Sequence, residues 1–292
     1  MLRRLDPGAV LGPLLASDPM LLLLVALLMG GVQLLSAVAP AILLAGPVRA
    51  PLPLWSRVKV FLATQPLAIF APGRLSDFGA MALLRRNYPT GAVASAVVLD
   101  KLITILVLLV LAPPALHFVW PGGTGLMVNT VLVLTLVLVA AMPFVLLDRR
   151  VRSAINRTVL RFWPGLLEGF GAHLESLLGG ARRLVLANLA LTLIKTALSA
   201  FVMTLLGRNV GLEIGLGTAW WVCVLTQLAT SVPVSIQGIG VAEGALVVVL
   251  GANGYPEALA LSMGVMARVL LVPVYGAIYL VATVPLLSRS HQ

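Results

Sequence analysis

From Pro19 to Val48 no side chain carries a charge. An α-helix needs ~20 apolar residues to cross the ~30 Å hydrocarbon core of a bilayer, and this run supplies them. In lipid every backbone N–H and C=O must be satisfied internally, so a chain with such runs spans as helices or as a closed barrel. Residues 19–46, 90–112, 125–147, 184–206 and 256–286 are all long and apolar enough to cross as helices. Composition agrees: 60% of residues are hydrophobic and 10% charged, with mean hydropathy +1.06, against roughly 25% charged residues in a soluble domain. The expected fold is an all-α polytopic membrane protein, a single membrane domain over 1–292. That excludes a secreted enzyme and any ordinary cytosolic fold.

The remaining apolar segments are shorter and broken. Residues 54–71 carry Arg57, Lys59 and Pro66, stop at Pro72-Gly73, and are followed by a short amphipathic piece over 75–87. The pattern recurs at 217–234, which ends near Pro233, and at 238–251 beyond the turn SIQGIG. Such pairs read as broken or re-entrant helices, the alternative being two thin spanning helices. Irregular backbone at membrane depth must be covered by protein or line a wet cavity.

The two pairs align. Leu62-Ala63-Thr64 recurs as Leu228-Ala229-Thr230 at an offset of 166, which also carries Asp77 onto Glu243. An offset of 167 carries Pro89 onto Pro256 and Lys101 onto Arg268. The repeat units are about 54–112 and 217–286. Three expected crossings lie between the pairs, and an odd number inverts the second unit relative to the first. The expectation is an inverted repeat of two broken pairs within about five full transmembrane helices, a plan that recurs in secondary transporters.

Charge fixes the sides. Thirteen Lys and Arg residues fall on one side of this topology and three on the other, so the positive-inside rule puts the N-terminus outside and the C-terminus in the cytoplasm. The membrane is expected to be a bacterial or archaeal plasma (inner) membrane. Residues 148–183, with seven arginines among apolar residues, read as a cytoplasmic amphipathic loop on anionic lipid. The net charge of +10 and pI near 11.0 are thus a topology signal. No basic tail stands apart from the apolar segments, and no nucleic-acid partner is expected.

Seven charged residues remain at membrane depth: Arg74, Asp77, Asp100, Lys101, Lys195, Glu243 and Arg268. A charge at the centre of a helix costs ~2.5–3.5 kcal/mol on insertion scales, so these residues must pair or face a hydrated cavity. Asp77 with Lys101, and Glu243 with Arg268, would make two matching locks. Four cations against three carboxylates leave one positive charge for an anionic group. Arg74 stands at the first turn, and Gly238 and Gly240 at the second; a helix N-terminus beside an arginine suits a phosphate. Cys223 and the scattered His117, His173 and His291 have no ligand spacing, so no metal or cofactor is expected. No HExxH, GxSxG or Walker loop occurs, and no enzymatic activity is expected.

Three stretches resemble a known family: PGRLSDFGAMALLRR (72–86), AVVLDKLITIL (97–107) and SVPVSIQGIGVAEGALVVVLGANGYPEALALSMGVMARVL (231–270). They are similar to the lysylphosphatidylglycerol synthase transmembrane-domain family of flippase-like membrane proteins, over about residues 20–285. Asp77 stands where the family commonly has glutamate and Lys101 where arginine is usual, which removes a bidentate phosphate grip. Bifunctional members append an aminoacyl-transferase domain. This sequence stops at Gln292, so the resemblance implies lipid translocation without synthase activity. The expected partner is a membrane lipid with a phosphate-bearing head group, either an anionic or aminoacylated phospholipid or a polyprenyl-phosphate-linked sugar. The alternative is a scaffold that docks a separate glycosyltransferase or lipid-modifying enzyme through 148–183.

Overall fold

The computed structural model describes residues 7–45, 52–69, 79–120, 169–231 and 238–287, with isolated helical positions at 130, 133 and 137. Among the described residues there are ten α-helices and no strand. They are α1 (Pro7–Leu15), α2 (Pro19–Leu43), α3 (Leu54–Thr64, running on into a 3-10 turn over Gln65–Ile69), α4 (Gly79–Leu84) and α5 (Thr90–Val119). Then follow α6 (Phe170–Gly179), α7 (Arg182–Asn209), α8 (Leu216–Ser231), α9 (Val241–Ala252) and α10 (Glu257–Leu287). Four of them, α2, α5, α7 and α10, are long and apolar enough to cross a membrane, in line with the expected all-α polytopic fold. The expected span over 125–147, apart from those isolated positions, and most of the loop over 148–183 lie outside the described residues.

Local chemistry sets the helix ends. Asp18 caps α2 by accepting the N–H of Met20 at 2.9 Å, with Pro19 at the first helical position, where its missing N–H costs nothing. Pro89 and Pro256 stand one position earlier, just before the first residues of α5 and α10. The 90–112 span runs seven residues further than expected, through Pro113-Pro114 to Val119. The prolines remove ladder hydrogen bonds, but Ala112, Ala115, Leu116 and Val119 are all buried, and that packing carries the helix past them.

The helix contacts obey an exchange. Swapping α2, α3, α4 and α5 with α7, α8, α9 and α10, in that order, turns each contact into another that is present. The α2–α3, α3–α4 and α4–α5 contacts become α7–α8, α8–α9 and α9–α10. The crossed contacts follow. The packing of α8 on α5 becomes that of α3 on α10, α7 on α5 becomes α2 on α10, and α2 on α5 becomes α7 on α10. The outer short helices join in, since α6 packs on α5 as α1 packs on α10.

Single residues obey the same exchange. The hydroxyl of Ser95 on α5 meets Nδ1 of His173 on α6 at 2.6 Å, and Ser262 on α10 donates to the carbonyl of Val10 on α1 at 2.9 Å. Ser95 and Ser262 are 167 residues apart, as Pro89 and Pro256 are; Val10 and His173 are 163 apart, as the starts of α2 and α7 are. Tyr88 and Tyr255 also share the offset of 167. The Tyr88 hydroxyl accepts the N–H of Leu52, and the Tyr255 hydroxyl donates to the carbonyl of Glu213. Each tyrosine thus holds the segment that leads into the first helix of a short pair. At the ends of those helices, Thr64 and Thr230 both donate to the carbonyl three residues back. Both threonine methyls lie against a glycine beyond the turn: a Cβ on Gly79 would stand 3.3 Å from Thr64 Cγ2, and one on Gly238 would stand 2.9 Å from Thr230 Cγ2.

The direction of the exchange is set where α2 meets α7. The N–H of Asp18 donates to Asn209 Oδ1 at 3.0 Å, Gly31 faces Leu198, and Asn188 Nδ2 donates to the Ala39 carbonyl at 2.9 Å. Residue numbers rise on α2 as they fall on α7, so the two helices are antiparallel. An exchange that lays one antiparallel helix on the other reverses the chain direction, and the repeat is inverted. At the crossing Gly31 leaves room for Leu198 of α7, whose Cδ2 would stand 3.5 Å from a Cβ there, the kind of close approach on which helix packing in lipid depends.

Candidate functional site

Two charged centres lie at comparable depth on α10 and α5. On α10, Arg268 is eleven residues beyond Glu257, and on α5 Lys101 is eleven beyond Thr90. At 1.5 Å per residue both stand about 16 Å along their helices, close to half the thickness of the hydrocarbon core.

The centre on α10 is built by a turn and a close packing. Gly238 and Gly240 adopt φ of 72° and 81°, the left-handed region open to glycine, and so turn the chain into α9. Glu243, one turn into the helix, accepts the N–H of Gly240 through Oε2 at 2.8 Å and Nε of Arg268 through Oε1 at 2.6 Å. A Cβ on Gly264 would stand 3.3 Å from Glu243 Cγ and 3.2 Å from Leu246 Cδ1, so glycine there lets α9 lie close to α10. The expected Glu243–Arg268 lock is present. Gly238 and Gly240 serve the turn, and the N–H of Gly240, which sequence offered to a phosphate, is held by Glu243. The Arg268 side chain remains 27% exposed, and its terminal nitrogens make no hydrogen bond among the described residues.

At the α5 centre the expected Asp77–Lys101 lock lies outside the described residues. Arg74 and Asp77 lie outside the described residues, and within them Lys101 Nζ approaches Asp100 Oδ2 at 3.3 Å. Asp100 is almost wholly enclosed, and its Oδ1 accepts Nδ2 of Asn188 on α7 at 3.0 Å. The same amide nitrogen reaches the Ala39 carbonyl on α2. One residue therefore joins α5, α7 and α2 around the carboxylate. Lys195, two turns further along α7, is buried as well.

The profile of the lysylphosphatidylglycerol synthase transmembrane region matches residues 1–278. The chain belongs to this family. No curated protein and no solved structure matches it. As a member of the lysylphosphatidylglycerol synthase transmembrane family, the chain is an integral membrane protein of lipid metabolism or transport.

Sequence reasoning, which followed charge, missed several residues of this family member. Asn188 is neutral and sits in an apolar span. Thr104 and Thr192 follow Asp100 and Asn188 by one turn on the same faces, and Thr226 sits on α8; all three are buried. The signal was available as an i, i+4 polar stripe on α5 and α7. His173 is the other omission. It packs α6 onto α5 through Ser95, and its Nε2 has no partner among the described residues. Burial holds this imidazole below its usual pKa, because the fold provides nothing there to solvate a second proton.

Proposed function

We propose that this protein moves a lipid with a phosphate-bearing head group between membrane leaflets, the phosphate engaging Arg268 and Lys101 at mid-depth. The observation that carries this reading is the state of Arg268. It is a cation in mid-span whose Nε is fixed by Glu243 while the rest of the side chain stays partly exposed. Facing lipid alone it would cost ~2.5–3.5 kcal/mol, so its open side belongs to a polar opening, and a guanidinium presents paired donors suited to phosphate. The inverted repeat supports the reading, since related halves that can rock against one another give alternating access to a central site. The short α3–α4 and α8–α9 pairs support it too. Within the described residues none of these helices reaches ~30 Å at 1.5 Å per residue, which favours re-entrance. With the N-terminus outside and the C-terminus in the cytoplasm, α6 lies on the cytoplasmic face.

The test is transbilayer movement of fluorescent phosphatidylglycerol in proteoliposomes, read by dithionite quenching. Arg268→Ala and Glu243→Ala should stop movement while the protein still inserts and purifies as a single species. Arg268→Lys should retain part of it. Unimpaired flipping by both alanine variants would sink the assignment.

A further inference from the structure

The inverted repeat contains its own control. Three helices, α5, α7 and α8, pack mutually, and the exchange maps them onto α10, α2 and α3, which also pack mutually. The offsets of 167, 163 and 166 that relate these elements pair Asp100 with Ala267, Thr104 with Leu271, Asn188 with Val25, Thr192 with Met29 and Thr226 with Val60. In each of these five pairs the polar member stands on the first trio and the apolar member on the second, whose own buried polar groups, Arg57 and Gln65, stand at other positions and reach the carbonyls of Ala41 and Gln33 on α2. The result does not depend on the offset chosen for α2, because no side chain between Met20 and Val32 is polar. The scaffold packs without these groups on one side, so packing does not explain them on the other.

Their hydrogen-bonding state carries the inference further. Asn188 gives amide hydrogens to two acceptors, Ala39 O and Asp100 Oδ1, which fixes the orientation of the amide and leaves Oδ1 as a buried acceptor with no donor among the described residues. Buried helical threonines usually bond back to a carbonyl one turn earlier, as Thr196 does to Thr192 and Thr204 to Ala200. Thr104, Thr192 and Thr226 do not; the Oγ1 of each is buried without a partner among the described residues. Cys223 of α8 approaches the Thr196 carbonyl. Thr226 lies one turn on from Cys223 and Thr192 one turn back from Thr196, so where α8 runs antiparallel to α7 they come to one level. A metal cation does not suit these oxygens, since Lys101 already sits beside Asp100. Hydroxyl donors do.

We propose that the seam between α5, α7 and α8 is a polar slot for O–H donors at the level of Thr104, Thr192 and Thr226, the twin level between α10, α2 and α3, at Leu271, Met29 and Val60, being sealed. The donors are water or the hydroxyls of a lipid head group. The second source rests on the lipid-transport reading; the slot itself does not.

The test places single cysteines, in a Cys223→Ala background, at Thr104, Thr192 and Thr226 and at the twins Leu271, Met29 and Val60, and measures labelling by the small reagent MTSEA in nanodiscs. Labelling of the seam thiols at least tenfold faster than the twins is expected. Equal rates, or no reaction at any of the six, would overturn the slot. Thr104→Val and Thr192→Val ask the question without a reagent. Hydroxyls already bonded to slot water should leave the melting temperature unchanged or lowered, whereas a rise in both variants would reveal dry, unpaired hydroxyls and overturn the proposal. The source is read by adding phosphatidylglycerol, whose head group bears hydroxyls, or phosphatidylcholine, whose head group bears none. Protection by the first only identifies a head-group hydroxyl as donor; equal effects identify water. Flipping by the Arg268 variants is measured separately, so failure of the transport reading and failure of the slot are distinguishable.

Discussion

Asn188 and Val25 occupy the same place in the two halves of the molecule, one on α7 and one on α2, and their surroundings show what duplication kept and what it released. Kept are the anchors of the scaffold. Ser95 and Ser262 tie the short outer helices, Tyr88 and Tyr255 hold the entry to each broken pair, and Thr64 and Thr230 pack against a glycine across each turn. Released is the chemistry between the spans. Asp100 and Asn188 face one another in one half, while Ala267 and Val25 take part in an apolar cluster in the other. A pair of related halves thereby separates residues that the fold requires from residues that something else requires.

Installing one half's residue at the twin position of the other tests this separation. The largest effect is expected from Gly264→Val, which copies Val97. Branched carbons would enter the space now 3.3 Å from Glu243 Cγ, and overpacking of this kind costs about 1–3 kcal/mol. Parting Glu243 from Arg268 should also stop lipid movement in the dithionite assay. If the variant melts and flips as the parent does, the close α9–α10 approach is not what assembles the centre. Asn188→Val, copying Val25, comes next. It removes the amide that holds the Asp100 carboxylate and the Ala39 carbonyl, at an expected cost of about 1–3 kcal/mol in thermal melts. A variant that melts with the parent would show that the amide does not hold the carboxylate and would erase the distinction between the halves.

His173→Val, copying Val10, removes the bond to Ser95 at every pH and should also change how stability responds to acid. The folded pKa of His173 lies below its unfolded value of ~6.5, so its contribution to stability is fully present above that value and is lost as pH falls through the folded one. Melts of the parent should therefore drop as pH is lowered below ~6.5, and the valine variant should lose that part of the slope; an unchanged slope would remove His173 from the account. The smallest effects belong to Ser95→Ala and Ser262→Ala, which should each cost on the order of 0.6–1 kcal/mol and match one another. A clear mismatch would break the equivalence of the two anchors.

Much of the scaffold was legible in sequence. Apolar runs marked four of the spans to within a few residues at most ends, because the bilayer admits no other solution for the backbone. The offsets through Pro89 and Pro256 and through Lys101 and Arg268 marked the repeat, and the Glu243–Arg268 lock followed from it. The part played by α2 and α7 was not legible, since their facing residues share no chemistry that an alignment would register. Charge also proved an incomplete guide to the site. Asn188 and the three threonines carry none, and their importance lies in the partners they lack, which is a property of packing. Pro113-Pro114 looked like the end of a helix because local propensity says so, while burial of the residues around it decides otherwise.

The bond between Glu243 and Gly240 bears on how tightly any anion can be held. A helix N-terminus beside an arginine in a low-dielectric setting would grip a phosphate strongly, and a transporter that grips too well releases nothing. Here a carboxylate on the same chain already occupies the first N–H and one guanidinium nitrogen. Glu243 acts as a tethered competitor. It spares Arg268 from standing alone, and on the lipid-transport proposal it would cap affinity by leaving an arriving phosphate only part of the site, which would keep residence brief and favour turnover.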